Sequence, residues 1–196
     1  MQALNVRSTS LFRNAKWLSM HNTVKRNVFL MKSSLLEIGA GAEEPVLAFD
    51  GRQSAVAAEL QRGVCRALRA LGHAVVTELG LANGRRADVV ALAPRGDIWI
   101  VEIKSCLIDF QADGKWPEYQ PYCDRLYFAV APDFPCHVLP GETGLILADR
   151  YGAQLMREPL EERLSAARRK AMMLTFAHAA ALRLQLHLDP ACRIKI

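Results

Sequence analysis

The sequence predicts an α/β protein (an α+β arrangement with a central mixed sheet flanked by helices). Two observations carry this. Residues 52–71 repeat apolar side chains at helical spacing, and five short β-rich runs follow, broken by a polar crossover and closed by a long Ala/Leu-rich helix. The length of 196 residues fits roughly one domain and is ample for a proper core, so no metal or disulfide staple is required. With 51% hydrophobic and 23% charged residues, the composition excludes disorder and collagen-like repeats. No apolar run is long enough to span a bilayer, so no membrane partner is expected.

Residues 37–51 read as a linker, with Gly39, Gly41, Pro45 and Gly51. Asp50 and Gln53 resemble a capping box, opening a helix from about Arg52 to Leu71. Val56, Leu60, Val64, Ala67, Leu68 and Leu71 share its apolar face, and Gly72 stops it. Residues 73–79 read as a strand, and Asn83-Gly84 as a turn. Residues 87–92 and 98–104 read as strands joined by a five-residue hairpin loop, Ala93 to Asp97. Residues 109–124 are polar and aromatic, and predict a loop with a short helical piece. Strands follow at 125–131 and 144–148, with a short sixth at 154–157. One long helix runs from Glu161 to about Leu188; the alternating tail LRLQLHL leaves a terminal strand as the alternative.

Charge is uneven. Residues 1–36 hold Arg7, Arg13, Lys16, Lys25, Arg26 and Lys32 and no acid. The rest of the chain has 19 basic against 20 acidic residues, so the basic balance comes from the leader. Three readings stay open for it: an upstream start-codon artefact with Met20 or Met31 as the real start, a transit peptide, or a basic arm touching phosphate. The expected organisation is a leader and linker over 1–50, disordered or outside the native core, a domain over 51–190, and a tail over 191–196. The five cysteines, Cys65, Cys106, Cys123, Cys136 and Cys192, are odd in number and form no C-x-x-C. They fit free thiols in a reducing compartment. No phosphate-binding P-loop is present, which removes ATP-driven roles.

Three charges stand out. Alternation puts Ile98, Ile100, Glu102 and Lys104 on one strand face, and Asp88, Val90 and Leu92 on one face of its neighbour. Each charge extends an apolar stripe. If the hairpin closes with Leu92 opposite Ile98, Asp88 faces Glu102; a register two residues away gives an Asp88–Lys104 ion pair instead. Carboxylates directly opposite repel, unless one is protonated or a cation lies between them. A hard divalent ion, Mg²⁺ or Mn²⁺, suits such oxygen donors. Lys104 lies beside Glu102 on the same face, and Glu59 borders the apolar face of the preceding helix, within reach of the metal or a ligating water.

Helix with Glu59, strand with Asp88, then Val101-Glu102-Ile103-Lys104 resembles the PD-(D/E)xK nuclease superfamily. The runs RRADVVAL, VEIKSCLIDFQADGKWPEYQPYCDRLYFAVAPDFP and GLILAD resemble the MmcB-like DNA-repair endonucleases of bacteria, over about Gly51 to Pro190. Ala87 departs from the superfamily pattern, in which a proline often precedes the aspartate. The resemblance implies a restriction-endonuclease-like core and a Mg²⁺-dependent deoxyribonuclease acting in repair. Asp88, Glu102 and Glu59 would be metal ligands and Lys104 the catalytic lysine. Gln120 or Tyr122 would support the site; the other reading is that Tyr119 and Tyr122 pack under the sheet. Asp109, Asp113 and Lys115 would shape a mobile substrate loop or be solvated loop charges, and Trp116 would stack on an unpaired base or serve as a packed anchor. Arg85, Arg86, Lys115, Arg125 and the Arg168-Arg169-Lys170 run would supply a modest grip on DNA, though that last run also reads as the wet face of a helix. DNA, a repair protein and a second copy of the chain are the expected partners, in the cytoplasm at the nucleoid. A module of the same fold that binds DNA or a repair partner without turnover is the alternative; an α/β adaptor with a purely structural acidic pair is the third reading.

Overall fold

The computed structural model describes residues 54–192. The leader and the Asp50 cap lie outside them. Helix α1 (Ala55–Ala70) starts at Ser54, whose side chain accepts the Ala57 amide at 3.1 Å. That hydroxyl satisfies one of the amides every helix start leaves open. Gly72 ends the helix in the left-handed region (φ +84°), where a side chain is costly. Leu60, Val64 and Leu68 are buried as the spacing predicts, each worth about 2 kcal/mol. Val56 and Leu71 instead lie exposed at the two ends, beyond the part of the helix that the sheet covers.

Six strands form one sheet in chain order: β1 (Ala74–Gly80), β2 (Arg86–Leu92), β3 (Ile98–Lys104), β4 (Arg125–Val130), β5 (Gly144–Ala148) and β6 (Ala153–Arg157). β3–β4 and β4–β5 are parallel; the other pairs are antiparallel. The sheet is therefore mixed. β4, at its centre, is buried along nearly its whole length, as strands covered on both faces are. The crossover from β3 to β4 contains helix α2 (Leu107–Ala112) and a 3₁₀ helix, Trp116–Tyr122.

α1 packs on one face of the sheet, against Val89, Ala91, Val101, Ile103, Tyr127, Ala129 and Ile146. Gly63 makes this packing possible. A Cβ there would stand 1.9 Å from the Asp149 carbonyl oxygen and 2.6 Å from that of Gly152. The opposite face carries Ile98, Ile100, Leu126 and Val90, covered by Tyr119 and by Met172 and Phe176 of helix α3 (Ala166–Leu188). The alternation in β3 is thus the predicted one.

α3 begins at the Ser165 cap, later than the sequence suggests, and continues through the alternating tail as helix rather than strand. A buried carboxylate pins it. Asp124 accepts the amides of Ile98 (2.7 Å) and Leu164 (2.9 Å) and both guanidinium nitrogens of Arg169 (2.8 and 2.6 Å). Arg169 also donates to the Gly96 carbonyl. Its expected place in a DNA grip is therefore corrected: it is a clip between α3 and the sheet.

Candidate active site

The β2–β3 ladder pairs Leu92 with Ile98 and runs to Val89 opposite Val101. This is the register in which Asp88 and Glu102 oppose each other. At that point the main-chain ladder gives way to side chains. The Ile103 amide donates to the Asp88 carboxylate at 2.8 Å, and the Asp88 amide donates to Glu102 Oε1 at 3.3 Å. A third acid joins them. β1 pairs with β2 through Thr77–Val89 and Leu79–Ala87, which leaves Glu78 opposite Asp88 with a left-handed backbone (φ +49°). Such a conformation in a non-glycine residue is a strained one, common at functional sites. Gln61 of α1 braces this row, its side-chain amide donating to Glu78 Oε1 and to the Asp88 carbonyl, both at 3.1 Å.

Lys104 continues the row on β3. It is only 4% exposed, and its ammonium is paired with Asp113, in the turn after α2. Asp109, in α2, accepts the Ser105 amide at 3.1 Å and its hydroxyl at 3.3 Å. Together these side chains line an open cleft of about 350 Å³, with Ser54 and Ala57 at the α1 end and Tyr119 and Arg86 on its wall. Tyr119 donates its hydroxyl to the Arg86 carbonyl at 3.2 Å, and Arg86 pairs with Glu78 at 2.7 Å.

Burial sets the electrostatics. It pushes the Asp88 carboxyl up to about 6, against the opposing pull of the Ile103 amide. Glu102 is raised well above the usual carboxylate range, first by burial and then by the charge of Asp88. Lys104 also moves up. Burial alone would lower it, but the hydrogen bond and charge of Asp113 outweigh that. Asp113 moves down for the complementary reason, its own burial being outweighed by Lys104. The Tyr119 phenol is raised by burial and by nearby Glu102 and Asp88.

The structure therefore brings together Asp88, Glu102 and Lys104. It does not bring Glu59 to them. α1 covers the other face of the sheet and meets the cleft through Ser54 and Ala57, and Glu59 lies about 200° around the helix from Ala57. Gln120 and Tyr122 are also displaced. Gln120 lines a separate groove with Pro117, Pro121 and Arg168, and Tyr122 packs in the apolar layer. Tyr119, a turn earlier in the 3₁₀ helix, faces the cleft in their place. Trp116 is an anchor, edge-on to Phe128 at 6.0 Å, and Lys115 contributes its backbone amide to Asp113. Glu78 and Gln61 went unread in the sequence. The available signal for Glu78 is a three-residue loop, Ala82 to Gly84, which closes Leu81 on Arg85 and so sets Glu78 opposite Asp88.

Among the described residues, no group of three or more His, Cys, Asp or Glu side chains is gathered into a complete metal cage. No described helix is long and apolar enough to cross a membrane. The model of the DNA repair protein MmcB-like family matches residues 44–191. The chain belongs to this family. As an MmcB-like protein it is similar to a solved structure, the SPO1766 protein of unknown function from Silicibacter pomeroyi. The two are 44% identical with a TM-score of 0.71, over 74% of this chain and 99% of the other, so the mixed-sheet fold is shared. None of the curated proteins compared with this MmcB-like chain matches it.

Proposed function

We propose that this MmcB-like protein is a metal-dependent DNA endonuclease of the PD-(D/E)xK kind, hydrolysing phosphodiester bonds in DNA repair. The observation that carries the reading is the meeting of Asp88, Glu102 and buried Lys104 in one open cleft. That cleft is lined by five carboxyl groups and two basic side chains. A phosphodiester is repelled from such a lining unless a cation enters first.

The donor set fits Mg²⁺ or Mn²⁺. Two carboxyls pushed toward protonation by burial first, Glu102 then by the charge of Asp88 and Asp88 by that of Glu78, are relieved by a divalent ion between them. Two carboxylates and no closed cage suit Mg²⁺, which keeps several of its waters. Asp88 and Glu102 would hold it. When bound, the ion supplies a water of lowered pKa and a Lewis acid for the phosphoryl oxygen. The chain does the rest. The Ile103 amide fixes the Asp88 carboxylate, the Asp88 amide orients Glu102, and Gln61 braces the strand behind them. The Lys104 ammonium stabilises charge that builds on the phosphoryl oxygens and holds the attacking water. Arg86, on the rim, is placed to take an adjacent phosphate, with DNA at the nucleoid as the partner.

The test is cleavage of labelled single-stranded, flapped, mismatched and crosslinked DNA with Mg²⁺ or Mn²⁺, beside Lys104→Ala. We expect metal-dependent cutting that falls by about 10² to 10³ in the variant, the range for losing one transition-state donor. DNA binding without cutting on any substrate would instead support the silent module.

A further inference from the structure

Resting on that reading, we infer that Asp113 occupies the phosphate subsite of Lys104 in the resting protein, as a tethered stand-in for a DNA phosphate oxygen. Substrate then enters by displacing the turn that carries Asp113.

The pair is asymmetric. The Lys104 side chain is 5% exposed on a central strand, whereas that of Asp113 is 26% exposed in the turn between α2 and the 3₁₀ helix. The partner able to leave is the aspartate. Its turn is lightly held. α2 buries no residue, and Ile108 is 77% exposed. The segment is anchored on either side of the turn, by Phe110 edge-on to Phe128 at 5.4 Å and by Trp116 on the same ring. Between these anchors, Gly114 has open space around it and a freely adaptable backbone. The moving piece is thus short, and its movement uncovers an ammonium already set beside Glu102 and Asp88. A closed latch lowers apparent affinity by the fraction of molecules that are open. It also keeps the lysine neutralised, so that a cleft lined mainly by acids admits an anion only in exchange for another.

The test uses the full chain and fluorescein-labelled DNA, with Ca²⁺ in place of Mg²⁺ and a gel to verify that the DNA stays intact. If the latch is closed in about nine molecules of ten, Asp113→Asn tightens DNA binding about tenfold. Asp109→Asn, which removes an equal charge from the same cleft without freeing Lys104, gains a few-fold at most. The excess disappears in a Lys104→Met background. A second measurement needs no variant: carbodiimide labelling of the wild-type carboxyl groups, read by mass spectrometry, increases at Asp113 when DNA is bound. DNA binding with Asp113→Asn equal to Asp109→Asn, or Asp113 labelling unmoved by DNA, overturns the latch and leaves the nuclease reading standing. No DNA binding by wild type or by Asp113→Asn overturns both.

Discussion

Asp88 makes the metal-free protein less stable than it needs to be. Its carboxyl is held at about 6 in the fold against an ordinary value of 3.8, chiefly by burial. The folded protein therefore keeps a proton over a pH range in which the unfolded chain has lost it. Stability falls as pH rises through that window, from about 4 to about 6, and stays low above it. Two pKa units correspond to about 3 kcal/mol. Asp88 keeps some contact with solvent, so about 2 kcal/mol is the working figure. Asp88→Asn removes the ionisation, while the amide oxygen still accepts the Ile103 N–H. In EDTA at neutral pH the variant should melt roughly 4–8 °C above wild type, the usual conversion for a domain of this size. Mg²⁺ reverses the order. Wild type gains about 2.7 kcal/mol when the ion stands at a hundred times its dissociation constant, and the variant gains little. Melts of both proteins, with EDTA and with Mg²⁺, read all of this. A variant less stable than wild type in EDTA, or one that Mg²⁺ stabilises equally, would show that Asp88 carries no such burial penalty.

Two predictions concern the scaffold. Gly63→Ala forces a methyl onto the Asp149 and Gly152 carbonyls, which are backbone and cannot swing aside, so α1 must lift from the sheet. It should cost about 3 kcal/mol, seen as a lower urea midpoint at unchanged slope. Asp124→Asn leaves the partly exposed Arg169 without its counter-charge and weakens the acceptor of two main-chain amides, and should cost about 1–3 kcal/mol in the same assay at neutral pH. Burial alone would raise the Asp124 carboxyl, but the Arg169 guanidinium and the two amides outweigh it and hold it below its ordinary value. Its contribution is thus present above about pH 4 and lost as pH falls through the folded value. Acid unfolding should accordingly shift to higher pH in the variant.

The parts of the fold legible in the sequence are those fixed by local rules. β3 and β5 fall at the predicted residues because strand alternation or a short apolar run bounded by turn residues defines them unambiguously. The β2–β3 register is narrowed to two by sequence, because a five-residue loop leaves few ways to close a hairpin, and the fold takes the one that pairs Leu92 with Ile98. From that register, Asp88 and Glu102 follow. Gln120, Tyr122 and Glu59 lie away from the cleft because side-chain direction is not legible in the sequence. The proline-containing 3₁₀ helix turns every third residue alike, so Tyr119 rather than Gln120 meets the cleft. Glu59 depends on which side of the sheet its helix takes, a property of topology rather than of the helix itself. In the sequence Asp113 is a loop charge; that its carboxylate reaches Lys104 is a tertiary fact with no trace in spacing.

Counting charges along the chain also misjudged the DNA grip, for a physical reason. Composition records how many arginines there are, while the fold decides which of them are already neutralised. Arg85 is bidentate to Glu118, at 2.7 and 2.9 Å. Arg125 reaches Glu158 and Glu161, Arg169 holds Asp124, and Arg86 holds Glu78. A phosphate that meets a paired guanidinium replaces a carboxylate rather than finding a bare cation, so its net gain is small. The pairs differ in what they release. Breaking Arg169 from Asp124 would unpin α3, so that arginine is unavailable to DNA. Breaking Arg86 from Glu78 frees an acid in the row with Asp88 and Glu102, where an incoming divalent ion would welcome a further carboxylate. Of these four paired arginines, Arg86 is therefore the one whose exchange of partners serves the proposed chemistry on both sides.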